Sequence, residues 1–103
     1  MRKAMKVRDL LTHKSKWTQY VLARNRVSVG CLVNSPEAAK YSLLGAVYAT
    51  YGDKTPKARR AIKKLVVAAG LPVDVPVQRL ATWNDDAERT FEEVRKVIEK
   101  ADV

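Results

Sequence analysis

Residues 17–33 read WTQYVLARNRVSVGCLV. The second half alternates: Val27, Val29, Cys31 and Val33 fall on one side, and Ser28, Gly30 and Leu32 on the other. Period-two alternation with β-branched residues is the mark of a half-buried strand. The run from Thr18 to Ala23 precedes it, and Arg24-Asn25-Arg26 is a short polar insert between the two. The pattern predicts a β-hairpin with strands near 18–23 and 27–33, its apolar face, Cys31 included, turned inward. Two strands alone are marginal in water, so that face must rest on helices.

Helical signals surround the pair. On the N-terminal side, MRKAMKVRDLL (residues 1–11) has the basic start of a signal or transit peptide without an apolar stretch behind it. Val7, Leu10 and Leu11, at i, i+3, i+4 spacing, predict a short first helix instead. On the other side, Ser35-Pro36-Glu37 combines a cap, a first-turn proline and a carboxylate. A helix is expected from there to Tyr51, stopping at Gly52. Its centre, Leu43 to Val47, is nearly all apolar and calls for burial on most sides. Gly45 inside it costs about 1 kcal/mol relative to Ala, which points to close approach by a neighbouring element.

Thr55-Pro56 opens another helix by the same logic, ending at Gly70, with Ala58, Ala61, Ile62, Leu65 and Ala69 as its apolar stripe. Leu71 to Leu80 carries Pro72 and Pro76 among valines and reads as an extended connection. Thr90-Phe91-Glu92-Glu93 is a capping box, after which Phe91, Val94, Ile98 and Ala101 repeat at helical spacing. The expected fold class is α+β: a small, mainly helical single domain over residues 1–103, with about four helices and one β-hairpin.

The chain has 103 residues, which suits one core, and 47% apolar content, which excludes a disordered polyampholyte. Its single cysteine, Cys31, excludes an intramolecular disulfide framework and suits a reducing, cytoplasmic setting. No apolar run approaches the roughly 20 residues of a membrane span. Chemistry is scarce. With His13 the only histidine and Cys31 the only cysteine, no Cys/His zinc site can form within one chain. The glycines stand apart, so no phosphate-cradling loop is present, and no cofactor or metal is expected. Asp85, Asp86 and Glu88 form one acidic cluster, suited to acid/base work or a divalent cation, but more simply to terminating a turn ahead of Thr90. An enzyme is the less favoured class.

Charge is the stronger signal. Twenty Lys and Arg residues face eleven Asp and Glu, a net charge of +9. Residues 1–66 carry +12 of it and residues 67–103 carry −3. Lys57, Arg59, Arg60, Lys63 and Lys64, with Lys54 just ahead, make a helix face without a carboxylate. Such a face fits an anionic partner, either nucleic acid or an acidic protein surface; a merely solvated face is the plain alternative. Helix, glycine turn, helix is also the outline of a DNA-binding helix-turn-helix. The first helix, however, is expected to be long, and the second lacks the Asn, Gln or Ser that accompany Arg in base reading. Phosphate contact without sequence preference is the expected form.

Three groups of residues carry a resemblance: Trp17…Ala23-Arg24-Asn25, then Ala39…Ser42-Leu43-Leu44-Gly45-Ala46…Ala49, then Trp83-Asn84-Asp85…Thr90…Glu93-Val94…Ala101. Together they resemble an uncharacterised family, a domain of unknown function, of small bacterial and phage proteins. The resemblance covers most of the chain from Trp17 onward. It departs at Asn25, where an aspartate is usual, and at Ser42, where a cysteine is usual. It implies a fold and a context, with no activity, cofactor or catalytic residue. Read physically, the motif residues are structural: Trp83 buries a large ring with its indole N–H paired, Asn84 and Asp85 bond backbone, and Thr90 caps a helix. The basic face lies outside them. The expected function is a non-enzymatic binding protein that engages nucleic acid through Lys54, Lys57, Arg59, Arg60, Lys63 and Lys64. The alternative is a protein-interaction module, such as a phage accessory regulator of a host protein.

Overall fold

The structure, a computed structural model, describes residues 5–103, so the basic residues 1–4 lie outside the description. A short helix α1 (Val7–Leu10) and a 3-10 turn (Lys14–Lys16) lead to two strands, β1 (Ala23–Arg24) and β2 (Lys40–Tyr41). Four longer helices follow: α2 (Leu43–Tyr51), α3 (Pro56–Ala68), α4 (Pro76–Asn84) and α5 (Phe91–Ala101). The class is α+β, with the two strands antiparallel.

Helix α3 packs against α2, α4 and α5 and forms the middle of the core. Ala58, Ala61, Ile62, Leu65 and Val66 are its buried side. Leu43, Ala46 and Val47 meet it from α2, Leu80 from α4, and Val94, Val97 and Ile98 from α5. Thr55 accepts the Ala58 N–H at 3.0 Å, Pro56 occupies the first turn, and Gly70 ends the segment at φ +75°. The capping box of α5 is reciprocal: Thr90 Oγ1 accepts the Glu93 N–H at 3.2 Å and Glu93 Oε1 accepts the Thr90 N–H at 3.0 Å. Val7 and Leu11 close the core from α1. Arg95 holds that helix by donating to the Arg8 and Leu11 carbonyls at 2.8 and 3.1 Å.

The hairpin differs from the one expected. The partner of Ala23–Arg24 is Lys40–Tyr41, and the backbone of residues 27–33 pairs with β1 at one isolated bridge, Arg24–Gly30. Turn chemistry at Asn25 overrides the alternation: its Oδ1 accepts the N–H groups of Val27 and Val29, each at 3.0 Å, and curls the chain into a loop. Val27, Val29 and Leu32 are left 77%, 58% and 75% exposed, and Cys31 is half-buried on that loop rather than on the inner face of a strand. Residues 19–22 bend instead of extending, with Tyr20 at φ +74°.

Two helix boundaries also move. Ser35 caps a single turn, accepting the Glu37 N–H at 3.1 Å, but the helix begins at Leu43 because Lys40 and Tyr41 pair with β1. Ser42 then supplies the cap, accepting the Gly45 N–H at 3.0 Å. Residues 76–80, within the stretch 71–80 expected as extended chain, belong to α4, with Pro76 in its first turn. Proline there starts a helix rather than preventing one. Just ahead, Asp74 accepts from Arg79 Nε and Nη2 at 3.0 and 2.9 Å and from the Val75 N–H at 2.9 Å.

Gly45 has the close approach its position in the helix implied. A Cβ there would overlap the Leu22 carbonyl oxygen and lie 2.8 Å from its carbon. Gly45→Ala should therefore lower the urea midpoint through about 1–3 kcal/mol of overpacking, against the roughly 1 kcal/mol gained in helix propensity. A raised midpoint would show that the Leu22 backbone yields freely. A second expectation concerns Asp74, whose carboxyl is held down to about 2 by the hydrogen bonds from Arg79 and the Val75 amide. A depressed carboxyl stabilises the fold above its ordinary value, near 4, and that contribution fades as pH falls toward about 2. Carboxyl NMR titration should give an Asp74 midpoint near 2, moving back toward about 4 in Arg79→Ala.

Candidate functional site

The cations named from the sequence lie along one exposed side of the chain's central helix. Lys54 sits in the turn before α3 at φ +61°. Lys57, Arg59, Arg60, Lys63 and Lys64 follow on α3, each exposed. Geometry makes the separation inevitable: Ala58, Ala61, Ile62 and Leu65 repeat at three- and four-residue intervals and take the core side, so the intervening cations take the other. Arg60 and Lys64 stand one turn apart, as do Arg59 and Lys63.

None of the six cations forms an ion pair among the described residues. Five cations elsewhere do. Lys6 and Arg8 pair with Asp102, Arg79 with Asp74, Arg89 with Asp86 and Glu93, and Arg95 with Glu99. The charged face continues onto a second helix that the sequence did not connect to it. An open groove of about 520 Å³ lies between α3 and the last turn of α5. Apolar Val67, Ala68 and Ala101 line it together with Arg60, Lys63, Lys64 and Lys100.

The motif residues meet in a separate corner, built around a buried asparagine. Asn84 is 1% exposed, and its Oδ1 accepts the Trp17 indole N–H at 2.8 Å and the Leu43 N–H at 3.1 Å. Its Nδ2 donates to the Thr18 carbonyl at 3.2 Å and to Asp85 Oδ1 at 3.0 Å. Gln19 adds a bridge, donating to the Asn84 and Asp86 carbonyls, both at 2.8 Å, and Asp85 Oδ1 accepts the Tyr20 N–H at 2.8 Å. The paired indole is thus that of Trp17, whose ring also leans on Phe91. Trp83 instead lies beneath the Arg89 guanidinium, 4.0 Å from its ring centre, while Arg89 Nε donates to the Trp83 carbonyl at 2.8 Å. The Thr90 amide, with Arg89 beside it, holds the Glu93 carboxyl below its usual range.

These bonds give most of the acidic cluster a structural occupation. Asp85 holds Tyr20, and Asp86 Oδ1 accepts the Glu88 N–H at 2.9 Å. Among the described residues, no three His, Cys, Asp or Glu side chains come together as a metal site. His13 spends its Nδ1 on the Ser15 N–H at 3.1 Å, in the 3-10 turn. Among the described residues no helix is long and apolar enough to cross a membrane. Asn84→Leu, which keeps bulk but removes both hydrogen-bonding arms, strands the Trp17 and Leu43 N–H groups. Urea unfolding followed by tryptophan fluorescence should show a loss of about 2–5 kcal/mol; a loss below about 1 kcal/mol would mean that water replaces the amide.

No curated protein and no solved structure matches the chain. A family model does: one described as a family of unknown function, DUF6197, matches residues 5–102, taking in the asparagine corner and the basic helix alike. The chain belongs to the family of unknown function DUF6197.

Proposed function

We propose that this chain is a non-enzymatic, cytoplasmic binding protein that engages nucleic acid through α3, with Lys54, Lys57, Arg59, Arg60, Lys63 and Lys64 contacting phosphates. The observation that carries the reading is a close-set row of exposed cations on one helix face, none of the six paired with a carboxylate among the described residues. A row of unpaired, exposed cations suits a ligand that brings its own closely spaced negative charges. Lys and Arg without Asn or Gln beside them favour backbone contact over base reading. Helix α2 has nine residues rather than the longer span expected, which removes one objection to a helix-turn-helix outline. The side chains still favour phosphates.

A second reading rests on a different surface. Val27, Val29 and Leu32, exposed on the loop after β1, favour a protein partner, as in a regulator that docks on a host protein. The two readings separate experimentally, because serine at Val27 and Leu32 would leave nucleic-acid binding intact.

Fluorescence anisotropy with a labelled duplex at about 50 and 200 mM salt tests the leading reading, since six phosphate contacts imply a log–log salt slope near −5. The triple variant Lys57→Glu, Arg60→Glu, Lys64→Glu should lose at least a hundredfold in affinity while circular dichroism shows the fold intact. Unchanged affinity in that variant would remove α3 as the binding face.

A further inference from the structure

We infer that the groove between α3 and the last turn of α5 seats the sugar–phosphate backbone of one strand of duplex DNA, with Lys100 as a further phosphate contact. This rests on the nucleic-acid reading of α3 and extends it to a second helix. The groove joins Arg60, Lys63 and Lys64 to Lys100, which is distant in sequence and arrives there only because α5 packs on α3. Lys100 is exposed and, like the α3 cations, has no ion-pair partner among the described residues.

The chemistry of the lining selects the ligand. Every polar side chain in it is a Lys or Arg, which donates hydrogen bonds and accepts none. A ligand group that only accepts, such as a phosphodiester oxygen, matches that set. The remaining lining, Val67, Ala68 and Ala101, offers methyl groups, with Val67 61% exposed. Deoxyribose carbons can lie on such a surface, whereas the proton of a ribose 2′-hydroxyl would find no side-chain acceptor there. The lining has no aromatic ring for unpaired bases to stack on, which favours a duplex over a single strand.

Anisotropy with the full chain and three probes of one sequence (duplex DNA, duplex RNA and single-stranded DNA) tests this between about 50 and 200 mM salt. Duplex DNA should bind tightest. Lys100→Ala should reduce the magnitude of the salt slope by about 0.9 and weaken binding roughly five- to tenfold near 0.1 M salt. Val67→Glu, at an exposed position, should weaken it at least tenfold, while Lys14→Ala, on the 3-10 turn, should leave slope and affinity unchanged. If Lys100→Ala and Val67→Glu bind like the parent while the triple α3 reversal abolishes binding, the groove is empty in the complex and the α3 reading stands. If duplex RNA or single-stranded DNA binds as tightly as duplex DNA, the assignment of the strand is wrong. No binding of any probe by the parent chain at 50 mM salt would overturn both readings.

Discussion

The fold depends on one buried amide. Asn84 stands at the end of α4, and its side chain reaches the start of α2 through the Leu43 N–H and the segment before β1 through Trp17 and Thr18. Two lone-pair sites and two N–H groups are all engaged, so a polar group that would be costly in a core becomes a clamp. Its carbonyl oxygen also does a helix-capping task, taking an α2 amide that has no partner within its own helix. Neighbouring residues secure the same corner from outside: Gln19, Asp85 and the stack of Arg89 on Trp83. Three chain segments are therefore fixed by hydrogen bonds of defined length and direction.

The clamp matters to the candidate interface indirectly. By fixing α2 and α4 it builds two of the three walls against which α3 packs, and α5 supplies the third. Helix α3 is thus supported on its apolar stripe from several sides and presents its charged side on a rigid element. Interfaces carried by helices keep their spacing better than those carried by loops. The loop at 26–34, by contrast, has apolar side chains in solvent and is held by turn hydrogen bonds, one bridge to β1 and bonds from Arg24 and Lys40 to Ser28.

Much of this was legible from local sequence wherever a cap, a period and a stop agreed. Thr55-Pro56 with Gly70, and the Thr90–Glu93 box, each set out a helix that the structure contains. Gly45 announced a close contact, although the sequence could not name Leu22 as the neighbour. The failures share a cause: a local pattern had two uses, and distant partners chose between them. Val27 to Val33 alternate like a strand, yet Asn25 diverts the chain, leaving a single Arg24–Gly30 bridge on one edge of β1 while Lys40 and Tyr41 take the other. Ser35 and Ser42 are equal as caps on paper. Pro76 reads as a breaker or as a first-turn residue with the same letters around it. The basic face could be read directly because its cations follow one another on one helix. Lys100 could not be joined to it, because that proximity exists only once α5 lies on α3.

The unpaired state of the α3 cations has a cost within the folded chain itself. Lys57 and Arg60, Arg60 and Lys63, Arg59 and Lys63, and Arg60 and Lys64 stand three or four residues apart, so like charges repel along the helix surface. Each such contact works against the helix by about 0.2–0.5 kcal/mol when unscreened. Added salt relieves that strain while it competes for phosphates. Ionic strength therefore acts on the two equilibria in opposite senses, strengthening the empty helix as it strips the ligand away. A bound polyanion would do for the helix what salt does, neutralising the repulsion locally, so occupancy and helix stability rise together.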